Sequence, residues 1–185
     1  MKLSFVIPCY NEESNVNLIH DEIAKIFSPL YKYEIIFVND GSKDNTINII
    51  KEMREEDNRI NYVDFSRNFG KEIAMIAGLD YATGDCVVFM DADLQDPPEL
   101  IPELVKYWED GYDDVYAKRR SRKGETWLKK FTSKMYYRVL QHLTKVEIQE
   151  DTGDFRLLDR RCVNALKKLR ESQRNTKSMF SWIGY

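Results

Sequence analysis

The sequence predicts an α/β protein built on a doubly wound, mostly parallel sheet with helices on both faces. Three observations carry this. Short apolar runs alternate with helical patterns four times, at short intervals. The polar stretches 9–14, 39–44, 66–71, 91–98 and 118–124 each follow a strand-like run. The run Cys86 to Met90 is continuously apolar, as a strand buried on both faces requires, and it ends in an acidic turn.

Leu3 to Pro8 reads as the first strand. The loop Cys9 to Ser14 opens a helix with Val16, Ile19, Ile23, Ile26 and Phe27 on one face, ending before Pro29. Tyr33 to Val38 is a second strand, stopped by the turn cluster Asn39-Asp40-Gly41-Ser42. Asp44 or Asn45 can cap the next helix, which turns Ile47, Ile50 and Met53 inward. Ile60 to Phe65 alternates as a third strand. Ile73 to Tyr81 reads as a helix ended by Thr83-Gly84. The Cys86 to Met90 strand follows, then a helix over Glu99 to Trp108 behind the paired Pro97 and Pro98. Asp113 to Ala117 is a fifth strand. Beyond it, Glu125 to Leu143 carries an apolar and aromatic stripe with lysines between, which suits core packing or an anionic membrane surface. A last helix runs from about Arg160 to Arg170.

The 185 residues suffice for one domain with a substantial core, so residues 1–185 read as a single domain. Hydrophobic residues make up 43% and charged residues 32%, which argues against disorder throughout. The net charge of −3 conceals an asymmetry. Ten acidic residues and one lysine lie between Asp85 and Asp114; eight Lys/Arg and one Glu lie between Lys118 and Lys134. An acidic end beside a basic end suits a substrate carrying several phosphates, or an anionic surface. Of the widely spaced Cys9, Cys86 and Cys162, the first two sit in or beside apolar strands and read as buried thiols in a reducing compartment, and no Cys/His metal spacing exists. No signal peptide and no 18-residue apolar run is seen. The aromatic terminus Met179 to Tyr185 suggests a chain cut short, its last segment near a membrane interface.

In a doubly wound sheet the loops at the carboxyl ends of the strands converge on one ligand site. Asp91 and Asp93, spaced i, i+2 at the end of the central strand, project to the same side if the backbone stays extended. Two such carboxylates repel each other unless a cation or proton intervenes. Hard oxygen ligands suit Mg²⁺ or Mn²⁺, with a phosphate-bearing substrate completing the shell. A solvated acidic turn ahead of a helix is the plainer reading of Asp-x-Asp alone.

The set Val6-Ile7-Pro8-Cys9-Tyr10-Asn11-Glu12-Glu13, Val38-Asn39-Asp40-Gly41-Ser42, Ser66-Arg67-Asn68-Phe69-Gly70-Lys71 and Asp91-Ala92-Asp93-Leu94-Gln95-Asp96-Pro97-Pro98 resembles family 2 inverting glycosyltransferases of the GT-A fold. Gly153-Asp154-Phe155-Arg156-Leu157 brings it closer to the polyprenyl-phosphate branch. The resemblance implies a nucleotide-sugar donor, a divalent metal and a lipid-phosphate acceptor. It implies that Pro8, Tyr10, Glu12, Asp40, Gly70, Lys71, Asp91, Ala92 and Arg156 hold the nucleotide sugar. Asp91, Asp93 and Gln95 would meet Mg²⁺ or Mn²⁺, with Asp93 the direct ligand. Asp154 resembles the residue proposed as catalytic base, although an acceptor phosphate is already mostly ionised at neutral pH. Asn39 departs from the Asp common at its position. Arg119, Arg120 and Arg122 would grip the acceptor phosphate with their planar forks, with Lys123, Lys134 and Arg138 in support.

The implied reaction moves a hexose, glucose first among candidates, from a UDP-sugar to undecaprenyl phosphate at the cytoplasmic face of a bacterial inner membrane. Relatives carry a C-terminal membrane anchor. A saccharide acceptor is the second enzyme reading, but it leaves the arginine cluster without a task. A nucleotidyltransferase fits the acidic loop after the first strand badly. A module binding nucleic acid or an anionic membrane leaves the acidic loops unexplained, and nucleic acid is not expected as a partner. Homo-oligomer formation stays open.

Overall fold

The computed structural model describes residues 1–118, 152–169, 179–180 and 182–184. Strand β1 (Lys2–Cys9) leads to helix α1 (Val16–Phe27), β2 (Lys32–Asn39) to α2 (Thr46–Glu56), and β3 (Ile60–Asp64) to α3 (Lys71–Tyr81). Strand β4 (Cys86–Phe89) passes through a 3₁₀ turn at Pro98–Leu100 into α4 (Ile101–Glu109). Strands β5 (Asp114–Lys118) and β6 (Thr152–Asp159) and helix α5 (Arg160–Lys168) complete the described elements. The arginines 119, 120 and 122, with Lys123, Lys134, Arg138 and the helix expected over 125–143, lie outside the described residues.

The strands form one sheet in the order β3-β2-β1-β4-β6-β5. The first four are parallel; β6 runs antiparallel to both β4 and β5. Alternation along the strands sorts the core into two layers. Leu3, Phe5 and Ile7 of β1 pack with Val16, Ile19 and Ile23 of α1, Ile50 of α2 and Ile101 and Val105 of α4. On the other face Val6, Ile36, Val87 and Phe89 pack with Met75 and Leu79 of α3 and Val163 and Leu166 of α5. The doubly wound expectation therefore holds. Gly78 lets α3 lie close on β1: a Cβ there would come within 2.3 Å of Val6 Cγ1. Because α3 follows β3, its first turn lies at the carboxyl edge of the sheet.

Three details differ from the sequence reading or were not addressed by it. Strand β6 was not expected. Its run carries Asp154 and Arg156, which break an apolar strand signature, yet Phe155, Arg156, Leu157 and Leu158 are all buried. Secondly, β6 inserts between β4 and β5, so the fifth strand does not pair with the fourth. Thirdly, Met179 and Phe180 pack into the second core layer instead of facing a membrane interface, with the Phe180 ring 5.9 Å from that of Phe89. Trp182, two residues on, is exposed.

Candidate functional site

All strands but β6 point their carboxyl ends to one edge, and β6 begins there. The first, second and fourth strands and the start of α3 each deliver side chains to a single cavity of about 310 Å³. Strand β1 and its loop contribute Pro8, Cys9, Tyr10 and Glu12; the end of β2 contributes Asp40. The loop into α3 contributes Asn68, Gly70 and Lys71, and the end of β4 contributes Asp91, Ala92 and Asp93.

The walls of the cavity are held by side chains that cap backbone groups of neighbouring loops. Asn11 sits at φ 57, a left-handed conformation that asparagine tolerates better than most residues. Its N–H donates to Ser42 Oγ at 2.9 Å and its side-chain oxygen accepts from the Lys43 N–H at 2.8 Å. Glu12 N–H donates to Thr46 Oγ1 at 2.8 Å, and Asn45 N–H to Glu13 Oε2 at 2.8 Å. The loops after β1 and β2 are thereby stitched together. Asp44 does the capping work at the start of α2, accepting from the Thr46 N–H at 3.1 Å and the Thr46 hydroxyl at 2.6 Å.

Asp40 is only 3% exposed. Its two oxygens accept from the Phe69 N–H at 2.6 Å and the Gly70 N–H at 2.9 Å, so it holds the loop that leads into α3. Gly41 follows at φ +66, and a Cβ there would lie 2.4 Å from the Arg67 carbonyl carbon. Asn39 spans β2 and β3: its amide donates to Asp64 Oδ1 at 2.7 Å, a contact that an aspartate would turn into repulsion.

At the mouth of β4 the acidic turn bends through Leu94 at φ 56, a strained conformation for a leucine, whose side chain packs against the first core layer. Asp93 is exposed and accepts from the Gln95 N–H at 3.0 Å. Lys71 reaches across from α3. Its ammonium lies 2.6 Å from Asp91 Oδ1, 2.8 Å from Asp91 Oδ2 and 2.8 Å from Asp154 Oδ2. Burial would push the Lys71 pKa down, but Asp154 and Asp91 outweigh it and hold the lysine charged. Burial raises the Asp91 pKa, and Asp154 and Asp93 add to this while Lys71 opposes it. The rim thus gathers two carboxylates on one ammonium, with Asp93 exposed beside them.

Of the expected site residues, Pro8, Tyr10, Glu12, Asp40, Gly70, Lys71, Asp91, Ala92 and Asp93 line this cavity. Asp154 lies beside it, joined through Lys71. Gln95 is exposed and does not line it. Arg156 is a correction: it was expected on a diphosphate, but it is 1% exposed in mid-sheet. Its register opposite Phe89 and Tyr116 fixes it on the inner face, where it pairs with Asp114 at 2.9 Å. Its guanidinium lies 3.8 Å from the centre of the Phe180 ring. Cys9 and Asn68 are lining residues that the sequence reading did not select; Cys9 sits between Pro8 and Tyr10, which it did, and Asn68 two positions before Gly70.

Asp91 and Asp93 offer hard oxygen donors from one turn. Among the described residues no group of three or more His, Cys, Asp or Glu is arranged to enclose a cation. This donor set fits a small divalent ion that takes one or two carboxylates and draws the rest of its shell from water and substrate phosphate.

The profile of Glycosyl transferase family 2 matches residues 4–166. An uncharacterized glycosyltransferase of Synechocystis sp. is 54% identical over 100% of this chain and 58% of its own length. The bactoprenol glucosyl transferase of Shigella phage SfX is 42% identical over 100% of this chain and 61% of its own. This chain therefore spans about three fifths of each of these relatives. Among solved structures, glucosyl-3-phosphoglycerate synthase from Mycobacterium tuberculosis, in complex with Mn²⁺, UDP-glucose and glycerol 3-phosphate, superposes with a TM-score of 0.61 at 23% identity, covering 89% of this chain and 58% of that one. No helix among the described residues is long and apolar enough to cross a membrane.

Proposed function

The chain belongs to glycosyl transferase family 2, and from that membership we propose that it is the catalytic unit of an inverting transferase moving glucose from UDP-glucose to a polyprenyl phosphate. The observation that carries this is the shared cavity. Two carboxylates from one turn, an aromatic ring and the buried Asp40 meet there, and Asp154 stands at its rim. The bactoprenol glucosyl transferase likeness over the whole chain supports the lipid acceptor and the glucose.

In this reading Tyr10 stacks on the base, and Pro8 and Glu12 border the nucleoside. Asp40 acts mainly by bracing the loop that carries Gly70 and Lys71. Asp91 and Asp93 hold Mg²⁺ or Mn²⁺, which would neutralise the charge that builds on the leaving diphosphate. Asp154 orients the acceptor phosphate. One acceptor oxygen forms a bond to the anomeric carbon as the bond to the diphosphate breaks, and UDP departs with that electron pair. Because a phosphate acceptor arrives ionised, Asp154 need not remove a proton. Arg119, Arg120 and Arg122 are proposed to hold the acceptor phosphate, and the reaction is assigned to the inner face of a bacterial membrane.

The test offers radiolabelled UDP-glucose, UDP-N-acetylglucosamine and GDP-mannose to membranes holding the full-length protein and undecaprenyl phosphate. Label from UDP-glucose should enter an organic-extractable, acid-labile lipid. Label passing only to a water-soluble saccharide would overturn the lipid acceptor, and transfer from GDP-mannose alone would overturn the donor.

A further inference from the structure

The position of Lys71 reaches beyond donor contact. Its ammonium has three N–H donors and three short contacts: 2.6 and 2.8 Å to the two oxygens of Asp91, and 2.8 Å to Asp154 Oδ2. Both Asp91 oxygens are therefore covered by one cation. A metal ion approaching Asp91 meets a carboxylate already neutralised, and must move the ammonium aside. The two cations would otherwise lie within a few ångströms of each other.

On the premise of the transferase reading, we propose that Lys71 is a resident counter-ion which makes metal capture at Asp91 conditional on the nucleotide diphosphate. The diphosphate brings two things together. It supplies the oxygens that a small divalent ion needs beyond one or two carboxylates. It also offers the displaced ammonium a new anionic partner, while the Asp154 contact keeps the lysine at the rim. Metal alone brings neither, so it competes against Lys71 unaided. The residue is thus a positioning group. It holds Asp91 and Asp154 together before the donor binds and turns to the diphosphate once it has. The plainer account is a rim ion pair with no effect on binding: the Lys71 side chain is 40% exposed, and exposed pairs often contribute little.

Direct metal binding separates the two. Mn²⁺ is titrated into the purified full chain with and without UDP, and free ion is read from its electron paramagnetic resonance signal. Wild type should take up Mn²⁺ weakly alone and more tightly with UDP. K71Q should bind Mn²⁺ without UDP roughly tenfold more tightly than wild type, with a smaller gain on adding UDP. K71R, which restores a cation, should return to wild-type behaviour. If K71Q binds lone Mn²⁺ no better than wild type, while wild type still takes up Mn²⁺ with UDP, the counter-ion role is overturned and the transferase reading stands. K71R as tight as K71Q would overturn it too, because charge would then not matter. A wild type that fails to bind Mn²⁺ even with UDP would remove the metal assignment itself.

Discussion

Two lysine–carboxylate clusters sit at opposite edges of the same sheet, and they are built to opposite ends. At the amino edge, Glu34 is buried and its oxygens accept from Lys2 Nζ at 2.8 Å, Ser4 Oγ at 2.6 Å, and both the N–H and hydroxyl of Thr83 at 2.8 Å. Ser4 Oγ in turn accepts from the Gly84 N–H at 2.8 Å. One negative charge there meets a full set of donors. At the carboxyl edge, Lys71 serves Asp91 and Asp154 at once, and Asp93 stands exposed beside them. The first cluster is closed and holds β1, β2 and the α3–β4 turn together. Both border a cavity, but the second has more anion than cation. The ratio of donors to carboxylates separates a structural network from one left ready for a charged ligand.

The comparison can be broken most sharply at the open end. On the proposed reading, in which Asp93 would ligate a metal that supports charge developing as the diphosphate leaves, Asp93→Ala should lower glucose transfer at least about 100-fold. The melting temperature should stay at the wild-type value, because Asp93 is exposed. Equal activity in membranes would remove Asp93 from the reaction.

Gly41→Ala tests the cavity wall at the carboxyl edge. The left-handed φ of +66 and the 2.4 Å approach to the Arg67 backbone should cost about 2–3 kcal/mol in urea unfolding. UDP affinity should fall with it, as the loop carrying Gly70 and Lys71 shifts. A variant as stable as wild type would show that the loop packs elsewhere.

Glu34→Gln should cost roughly 1–2 kcal/mol and leave UDP binding unchanged. The loss should depend on pH in a fixed direction. Burial alone would raise the Glu34 pKa, but Lys2, Ser4 and Thr83 outweigh it and hold the carboxyl below its ordinary range. A lowered folded pKa gives stability that is present above the unfolded value of about 4.3 and lost as pH falls through the folded one. The gap between wild type and Glu34→Gln should therefore be full above about pH 5 and narrow towards pH 3. A gap that widened in acid would contradict the network.

The smallest effect is expected at Tyr10, which is 42% exposed at the cavity. Tyr10→Ala should weaken UDP binding about three- to tenfold, in the range of one aromatic contact, and leave thermal stability alone. Titration calorimetry that found no change would take the ring away from the base.

Much of the site could be read without coordinates because it sits where strands end. The apolar run before Asp91 and the turn residues after Asn39 both mark strand termini, and parallel strands bring such termini to one edge. Asp40 was picked out through the family resemblance and lines the cavity, but its hold on the 66–70 loop was not legible. The signal for it lay in Gly41, whose left-handed φ and lack of a Cβ let the 66–70 loop approach. Gln95 follows the same acidic turn, yet the strained Leu94 turns the chain so that its backbone N–H serves Asp93 and its side chain lies outside the cavity.

The sequence by itself determined the first five strands and the helices that follow them, which face of each is apolar, and where the acidic turn falls, but not β6. Those properties follow from near neighbours along the chain, through periods of two and 3.6 residues. The tertiary structure alone decided that β6 enters the sheet between β4 and β5. It also decided that Arg156 is sealed against Asp114, 42 positions away, and that Lys71 bridges to Asp91, 20 positions away. Each is a contact between segments whose relative placement no local period encodes. An arginine in a strand looks the same in sequence whether it faces a phosphate or a buried carboxylate.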